Sequence, residues 1–243
     1  PPSDVDGNVV DPNVQFMDGI QVGFPGYQLN GSNYAFDGTN YAIAFADRGG
    51  VYGENTSVLF MRISETGTAV APAATISVPP KMRERSLFTS ANVANISQVK
   101  VAASPAGTIV GWVQGTYNEE QSLFAVRIAP DGTVLDTTPI RIASPSIQYR
   151  SRVSGTQTAV YDPFLVSADS GGFRFAVVEP HAGGGLDINS YRVALSSTSA
   201  PVGQAVTIAA SLDDIFGVGQ ALLVATELGG IFAWSHQVGI APS

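Results

Sequence analysis

Residues 57–78, SVLFMRISETGTAVAPAATISV, and residues 122–144, SLFAVRIAPDGTVLDTTPIRIAS, follow one pattern. In both stretches an apolar run ends at an arginine and an aliphatic residue, a turn with glycine follows, and a second apolar run comes after it. The arginine recurs every 65 residues, at Arg62, Arg127 and Arg192. A fixed period of this kind is typical of repeat architectures, in which each repeat is one structural unit. The chain is therefore predicted to be built from such units.

Each repeat resolves into four short strands. Runs dense in Val, Ile, Phe and Tyr alternate with Gly, Pro, Asp and Ser, and no apolar pattern with a helical period lasts three turns, which predicts an all-β protein. We name the strands of one repeat a, b, c and d, from the inner strand outward. Thr66-Gly67 and Asp131-Gly132 would join c to d, because glycine supplies the positive φ that a tight hairpin requires.

The fourth repeat stops after strand c, and its missing strand is found at the other end of the chain. Residues 4–22 match residues 129–144, which form the c–d turn and strand d of the second repeat. Radial closure of this kind leaves only short, protected sheet edges. The sequence thus predicts one all-β domain, a four-bladed β-propeller with four-stranded antiparallel blades, whose N-terminal strand completes the last blade. The predicted blades cover about residues 33–79, 98–144, 160–210, and 213–243 together with 4–23.

The blade pattern resembles the β-propeller repeats of secreted bacterial proteins. The matching stretches are DGTNYAIAF (37–45), MRIS (61–64) and VRIAPDGTVLD (126–136), and the match weakens in the third and fourth blades. This resemblance implies a propeller fold and an extracellular or cell-surface location. It implies no single activity, because one fold supports many functions.

Composition narrows the classes of function. Charged residues make up 13% of the 243 residues, the net charge is −8, and there is no cysteine. An acidic chain is a poor partner for nucleic acid, and without cysteine there are no disulfides or thiolate sites. No apolar run reaches the roughly 18 residues of a membrane span. The chain begins Pro-Pro, so we interpret it as a mature or excised domain. Such a domain could be part of a larger multidomain or surface assembly.

The first candidate site is acidic. Strand b ends at equivalent points in the four repeats, at Asp47, Gln114, Glu179 and Glu227, which would share one face of the propeller. Carboxylates there could hold a hard cation or a hydroxyl-rich ligand, or could simply form a solvated rim. Residues 4–11 resemble a calcium loop, but their glycine aligns with the c–d turns, so we interpret them as a turn. A bound calcium ion is the alternative, and no other cofactor is expected.

The loops on the same face add arginine and aromatic side chains. They could bind an acidic or glycan ligand through guanidinium forks and stacking, or merely keep long loops soluble. Glu179-Pro-His181 is the acid–histidine neighbourhood of the sequence. The candidate ligand-binding residues beyond the acidic positions are His181, Tyr27, Tyr52, Tyr117, Tyr149, Arg83, Arg85 and Arg150.

These features favour a non-catalytic extracellular recognition module that binds a glycan or a protein through its loop face. A structural or assembly subunit of a larger surface protein or filament is the alternative. A polysaccharide hydrolase or lyase is less favoured, because it would rest only on the acidic rim. For the repeated arginine, a structural role between blades, satisfied by carbonyls or an aspartate, is favoured over a ligand-binding role.

Overall fold

A computed structural model describes residues 30–47, 57–76, 95–115, 121–145, 148–150, 157–159, 163–169, 171–182, 185–196, 202–212, 222–226 and 229–233. Within these ranges the regular structure is β-strand, as the apolar runs and their Gly and Pro boundaries predict. None of these segments forms a helix with the length and hydropathy needed to cross a membrane.

Sixteen strands are described, and their order follows the predicted repeats. They are β1 (Asn30–Phe36), β2 (Asn40–Asp47), β3 (Ser57–Ser64), β4 (Ala69–Thr75), β5 (Asn95–Ser104), β6 (Gly107–Gly115), β7 (Ser122–Ile128), β8 (Ile140–Ala143), β9 (Gln148–Arg150), β10 (Gln157–Ala159), β11 (Phe164–Asp169), β12 (Gly172–Pro180), β13 (Leu186–Ala194), β14 (Val206–Leu212), β15 (Leu222–Thr226) and β16 (Gly229–Ala233).

Three four-stranded antiparallel sheets account for most of these strands. Sheet 1 is β1–β4, sheet 2 is β5–β8 and sheet 3 is β11–β14, each in sequential up-and-down order. Two further hairpins are β9–β10 and β15–β16. The sequence did not predict the first hairpin, because Tyr149 and Arg150 were expected to lie in a loop. The antiparallel all-β architecture is confirmed, while the predicted blade bounds stay a prediction and residues 4–23, predicted to complete the fourth blade, lie outside the described residues.

The turns between strands c and d have the predicted glycine chemistry. Gly67 and Gly132 have φ angles of 82° and 93°, in the left-handed region that side chains with a Cβ atom avoid. The amide of Gly67 donates to the carbonyl of Ser64 at 2.9 Å, and that of Gly132 donates to Ala129 at the same distance. Residues 64–68 and 129–133 are therefore the same turn in two repeats.

Two apolar clusters lie between neighbouring sheets, and a third, around Phe45 and Met61, lies on one face of sheet 1. One cluster joins sheets 1 and 2 around Phe60, Trp112 and Val126, and a second joins sheets 2 and 3 around Leu123 and Phe175. Trp112 is fully buried. Strand β5 contacts both β1 and β11, and β11 contacts β15. The sheets thus follow one another in chain order, with their inner strands adjacent.

Two of the three repeated arginines, Arg62 and Arg127, have the structural role that was predicted. Buried Arg62 donates to Asp37 at 2.7 Å, and its side chain also packs against Gly132 of sheet 2. Arg127, also buried, donates to Asp136 at 2.6 Å and to the carbonyls of Ala194 and Leu195 in sheet 3 at 2.8 and 3.1 Å. Each guanidinium therefore satisfies an aspartate of its own sheet while contacting the next sheet.

Candidate functional site

Strand alternation places Glu179 between sheets 2 and 3. It lies near the C-terminal end of β12, two and four residues after Val177 and Phe175, whose side chains are buried against sheet 2. Alternate residues of a strand share one face. The carboxylate is therefore on the face turned toward sheet 2. It lies at the end of the apolar core, where the neighbouring side chains are polar.

Three donors hold this carboxylate in place. The Tyr191 hydroxyl donates to Oε2 at 2.5 Å, the Asn189 side-chain amide donates to Oε2 at 2.7 Å, and the backbone N–H of Ser144 donates to Oε1 at 3.4 Å. Charge-assisted bonds of this kind are stronger than neutral ones, so the carboxylate has a defined orientation. Burial and the neighbouring Glu179 raise the pKa of Tyr191, so its hydroxyl remains a donor.

Asp187 stands directly opposite Glu179 in the β12–β13 register. Residues in such a pair have Cβ atoms about 4.5–5.5 Å apart and project from the same face. The His181 Nδ1 atom lies 2.9 Å from Asp187 Oδ1 and 3.0 Å from Oδ2. Because a carboxylate accepts hydrogen bonds, Nδ1 carries the hydrogen in this contact. Two carboxyl groups and one imidazole, whose side chain is 33% exposed, thus meet at this edge.

The Asn189 side chain presents a buried acceptor beside Glu179. Its amide nitrogen donates to Glu179, while its Oδ1 atom is buried and accepts no hydrogen bond within the described part of the chain. A buried acceptor without a donor costs about 1–3 kcal/mol. A site that receives hydroxyl groups from a ligand would compensate for such a cost.

The sheet 2 side of the edge is held by a short hydrogen-bonded chain. Arg141 donates to the Ser122 hydroxyl at 3.2 Å and to the Ser144 hydroxyl at 2.8 Å. Ser144 follows β8 and is the residue whose amide reaches Glu179. This chain fixes the end of β8 beside the end of β12.

The structure brings together only part of the predicted site. Glu179 and His181 both flank Asp187, as their neighbourhood in sequence indicated. Asp47 ends β2, and Tyr149 and Arg150 lie in β9, where only the backbone is described. Six predicted positions lie outside the described residues, namely Tyr27, Tyr52, Arg83, Arg85, Tyr117 and Glu227.

Sequence reasoning missed the β13 half of the site. Asp187, Asn189 and Tyr191 occupy alternate positions of LDINSYRVA (186–194), and therefore one face of the strand. The next residue on that face, Val193, is buried. Three successive polar residues on a face that ends in the core could have indicated a site. Among the residues that the structure describes, no group of three or more acidic or histidine side chains is placed to hold a metal ion.

Comparison with known proteins gives distant structural similarities only. No family model and no curated protein matches the sequence. An exo-β-1,3-galactanase from Clostridium thermocellum aligns at 10% identity over 95% of this chain and 55% of its own, with a TM-score of 0.35. The chain thus spans about half the length of that galactanase.

Two other solved structures align at a similar level. An exo-1,5-α-L-arabinanase from a bovine ruminal metagenomic library has 10% identity, 84% and 86% coverage of the two chains, and a TM-score of 0.29. An endo-arabinase from Bacteroides thetaiotaomicron has 11% identity, 87% and 95% coverage, and a TM-score of 0.29. Likenesses at this level define neither a fold nor a substrate.

One expectation is nevertheless corrected by these comparisons. The chain was expected to be a non-catalytic recognition module, with a structural subunit as the alternative. The three structures described above are named as a galactanase and two arabinan-cleaving enzymes, not as binding or structural proteins. The expectation of a non-catalytic module is therefore wrong as the leading interpretation.

Proposed function

We propose that this chain is a carbohydrate-active domain that hydrolyses a glycosidic bond at the edge formed by Glu179, Asp187 and His181. The observation that supports it best is the pairing of Glu179 and Asp187 across β12 and β13, with their side chains on one face. Glycosidases generally need two acid–base groups on either side of one bond. Here one carboxylate is oriented by three donors and the other orients an imidazole.

In this proposal the groups have separate roles. Glu179 is the base that takes a proton from the attacking water, because its donors leave it fixed as an acceptor. Protonated His181, oriented by Asp187, gives its Nε2 proton to the departing sugar oxygen, and the proton taken by Glu179 then restores the imidazolium. Water adds across the bond, so atoms and charge balance.

Asn189 would contribute substrate recognition. Its buried Oδ1 can accept a hydrogen bond from a sugar hydroxyl next to the reacting bond. A buried polar atom that is satisfied only by the correct substrate discriminates strongly against analogues without that hydroxyl.

The test is hydrolysis of soluble polysaccharides by the purified chain, read as release of reducing sugar. Removing a general base usually lowers the rate by about 10²–10⁴-fold, so we expect a loss of that size in Glu179→Gln. Glutamine can still accept from Tyr191, and the thermal midpoint should change little.

The matched control is Glu65→Gln, which changes an exposed acid in the β3–β4 turn and should retain full activity. The proposal fails if Glu179→Gln is as active as the wild type, or if a folded wild-type chain releases no sugar from any polysaccharide offered.

The finer architecture is part of the same proposal: a ring of four blades, closed by residues 4–23 beside the last repeat, in a secreted or surface-displayed protein. Two features support the ring. The three described sheets pack in chain order, and β15–β16 coincides with strands b and c of a fourth repeat, with β15 beside β11. If the ring closes in this way, deleting residues 1–23 should lower the midpoint of thermal unfolding. An unchanged midpoint would count against closure.

A further inference from the structure

Sheet 3 places two arginines directly opposite each other. Arg174 of β12 and Arg192 of β13 are register partners, so they share one face. The carboxylate between them is that of Asp169, whose side chain is 5% exposed. Its Oδ2 atom is 3.3 Å from Arg192 Nε and 3.8 Å from Arg174 Nη2. Like charges directly opposite each other in a sheet are destabilising, and a single carboxylate offsets only one of them.

The other two sheets show that the second arginine is an addition. Arg62 is the register partner of Ala42 in sheet 1, and Arg127 is the partner of Ile109 in sheet 2. Both partners are buried and apolar. The repeat therefore needs one arginine and one aspartate for its structure, and sheet 3 has one cation more than this unit requires.

The donors of this pair are not used up by the protein. The Nε atom of Arg174 is buried and donates to no acceptor within the described residues. The Arg192 side chain is 49% exposed and that of Arg174 is 24% exposed, so the pair is open to solvent. Burial raises the pKa of Asp169, but hydrogen bonds from Arg192 and Gly171 and the charges of both arginines outweigh it, so the pKa is lowered. Asp169 therefore stays an anion that balances one arginine only.

We propose that Arg174 and Arg192 form a binding site for an oxyanion group, such as a sulfate or a carboxylate. Two guanidinium groups provide planar donor forks that match such groups, and their remaining positive charge supplies the attraction. The site is distinct from the Glu179 edge. It lies on the opposite face of sheet 3, and Arg174 precedes Glu179 by five residues of β12, which corresponds to about 17 Å. The inference does not depend on the proposed hydrolase activity.

Isothermal titration calorimetry with sodium sulfate and with sodium galacturonate tests the site, with sodium chloride at equal ionic strength as the blank. Saturable binding of either anion to the wild type is expected. Losing one charge-assisted hydrogen-bonding group should weaken it about tenfold in Arg174→Gln and in Arg192→Gln. Arg192→Lys keeps the positive charge but loses the planar pair of donors, so its affinity for the anion should lie between those of the wild type and Arg192→Gln.

Lys100→Gln is the control, because Lys100 is a cation of sheet 2 that lies over the Phe164 ring and belongs to neither proposed site, so its loss should leave anion binding unchanged. Thermal unfolding of each variant without anion shows whether it is folded. Binding of sulfate alone would assign the site to tetrahedral oxyanions, and binding of galacturonate would extend it to sugar acids. Absence of saturable binding to the wild type, or binding by both glutamine variants as tight as that of the wild type, would overturn the inference.

Discussion

The repeated arginine of the three four-stranded sheets is paired with an aspartate that comes from one of two positions in the repeat. One position of the repeat lies at the turn before strand b. It is occupied by Asp37 in sheet 1, Ser104 in sheet 2 and Asp169 in sheet 3. Each accepts a hydrogen bond from the amide two residues later. In sheets 1 and 3 this residue also accepts from the arginine, but Ser104 carries no charge. In sheet 2 the acid is instead Asp136, beyond the c–d turn.

The pair of Asp37 and Arg62 predicts a pH-dependent stability. Burial raises the pKa of Asp37, but hydrogen bonds from Asn40, Arg62 and Thr39 outweigh it, so the pKa is lowered from its ordinary value of 3.8. A depressed folded-state pKa adds stability above the unfolded value, and this stability is lost as the pH falls through the folded value. Asp37→Asn should therefore be destabilised by about 3 kcal/mol near pH 6, because Arg62 loses its buried partner.

The difference in unfolding free energy between Asp37→Asn and the wild type should shrink below about pH 4, as Asp37 becomes protonated. Urea titrations between pH 2 and pH 6 measure it. Glu65→Gln, at an exposed turn position, is the control and should remain within about 0.5 kcal/mol of the wild type. A difference that stays constant down to pH 2 would contradict the prediction.

Two residues of the candidate site were predicted from the sequence and the others were not. Glu179 and His181 were found because an acid and a histidine two residues apart are noticeable in a chain with two histidines. Asp187 and Tyr191 were missed because their contribution depends on the strand register, which pairs them with Glu179 and Phe175. Register follows from the packing of a whole face, and a local pattern does not specify it.

Among the strands, alternation and turn chemistry were sufficient for prediction. Strands β2, β6 and β12 match the apolar runs of strand b, and the turns at Gly67 and Gly132 have the predicted geometry. The β9–β10 hairpin was not predicted, because its strands are three residues long and carry no alternating pattern. Short strands leave too little periodicity to identify.

The packing of β6 against sheet 3 depends on a residue without a side chain. A Cβ atom on Gly111 would lie 2.9 Å from the Phe175 ring and 3.2 Å from the Phe164 ring. Both rings are buried in the core between sheets 2 and 3, where close packing leaves little room for adjustment.

Gly111→Ala should therefore destabilise the chain by about 1–3 kcal/mol, although alanine normally improves a strand position over glycine. Chemical denaturation of the two proteins measures the difference. The control is Gly203→Ala, where the added carbon has more room, 3.4 Å from the nearest atom. Equal stability of Gly111→Ala and the wild type would show that the sheets do not meet as described.

For the whole molecule, the arrangement of sheets predicts a gradient of backbone protection. The central strand β6 is hydrogen bonded on both sides and is buried along most of its length, whereas the outer strand β14 is largely exposed. Amides in such outer strands open by local fluctuations, and those of central strands open only with global unfolding.

Hydrogen exchange followed by mass spectrometry should show the slowest exchange in peptides covering β6 and β12, and exchange at least about tenfold faster in peptides covering β4 and β14. Residues 64–68, in the first c–d turn, provide an internal reference for rapid exchange. Uniform protection from β6 to β14 would contradict the described order of strands. The sequence predicted this order from the repeat, while the number of blades depends on segments outside the described residues.

The alternative origins of the balancing acid have a consequence for how duplicated units diverge. A repeat that first acquires a carboxylate at the position of Asp136 can afterwards lose the one at the position of Ser104, and its arginine, Arg127 in sheet 2, always keeps a counterion. A substitution beyond the c–d turn thereby makes the loss of an acid at the a–b turn tolerable. Two repeats can then differ at both positions while the arginine keeps its contact with the next sheet.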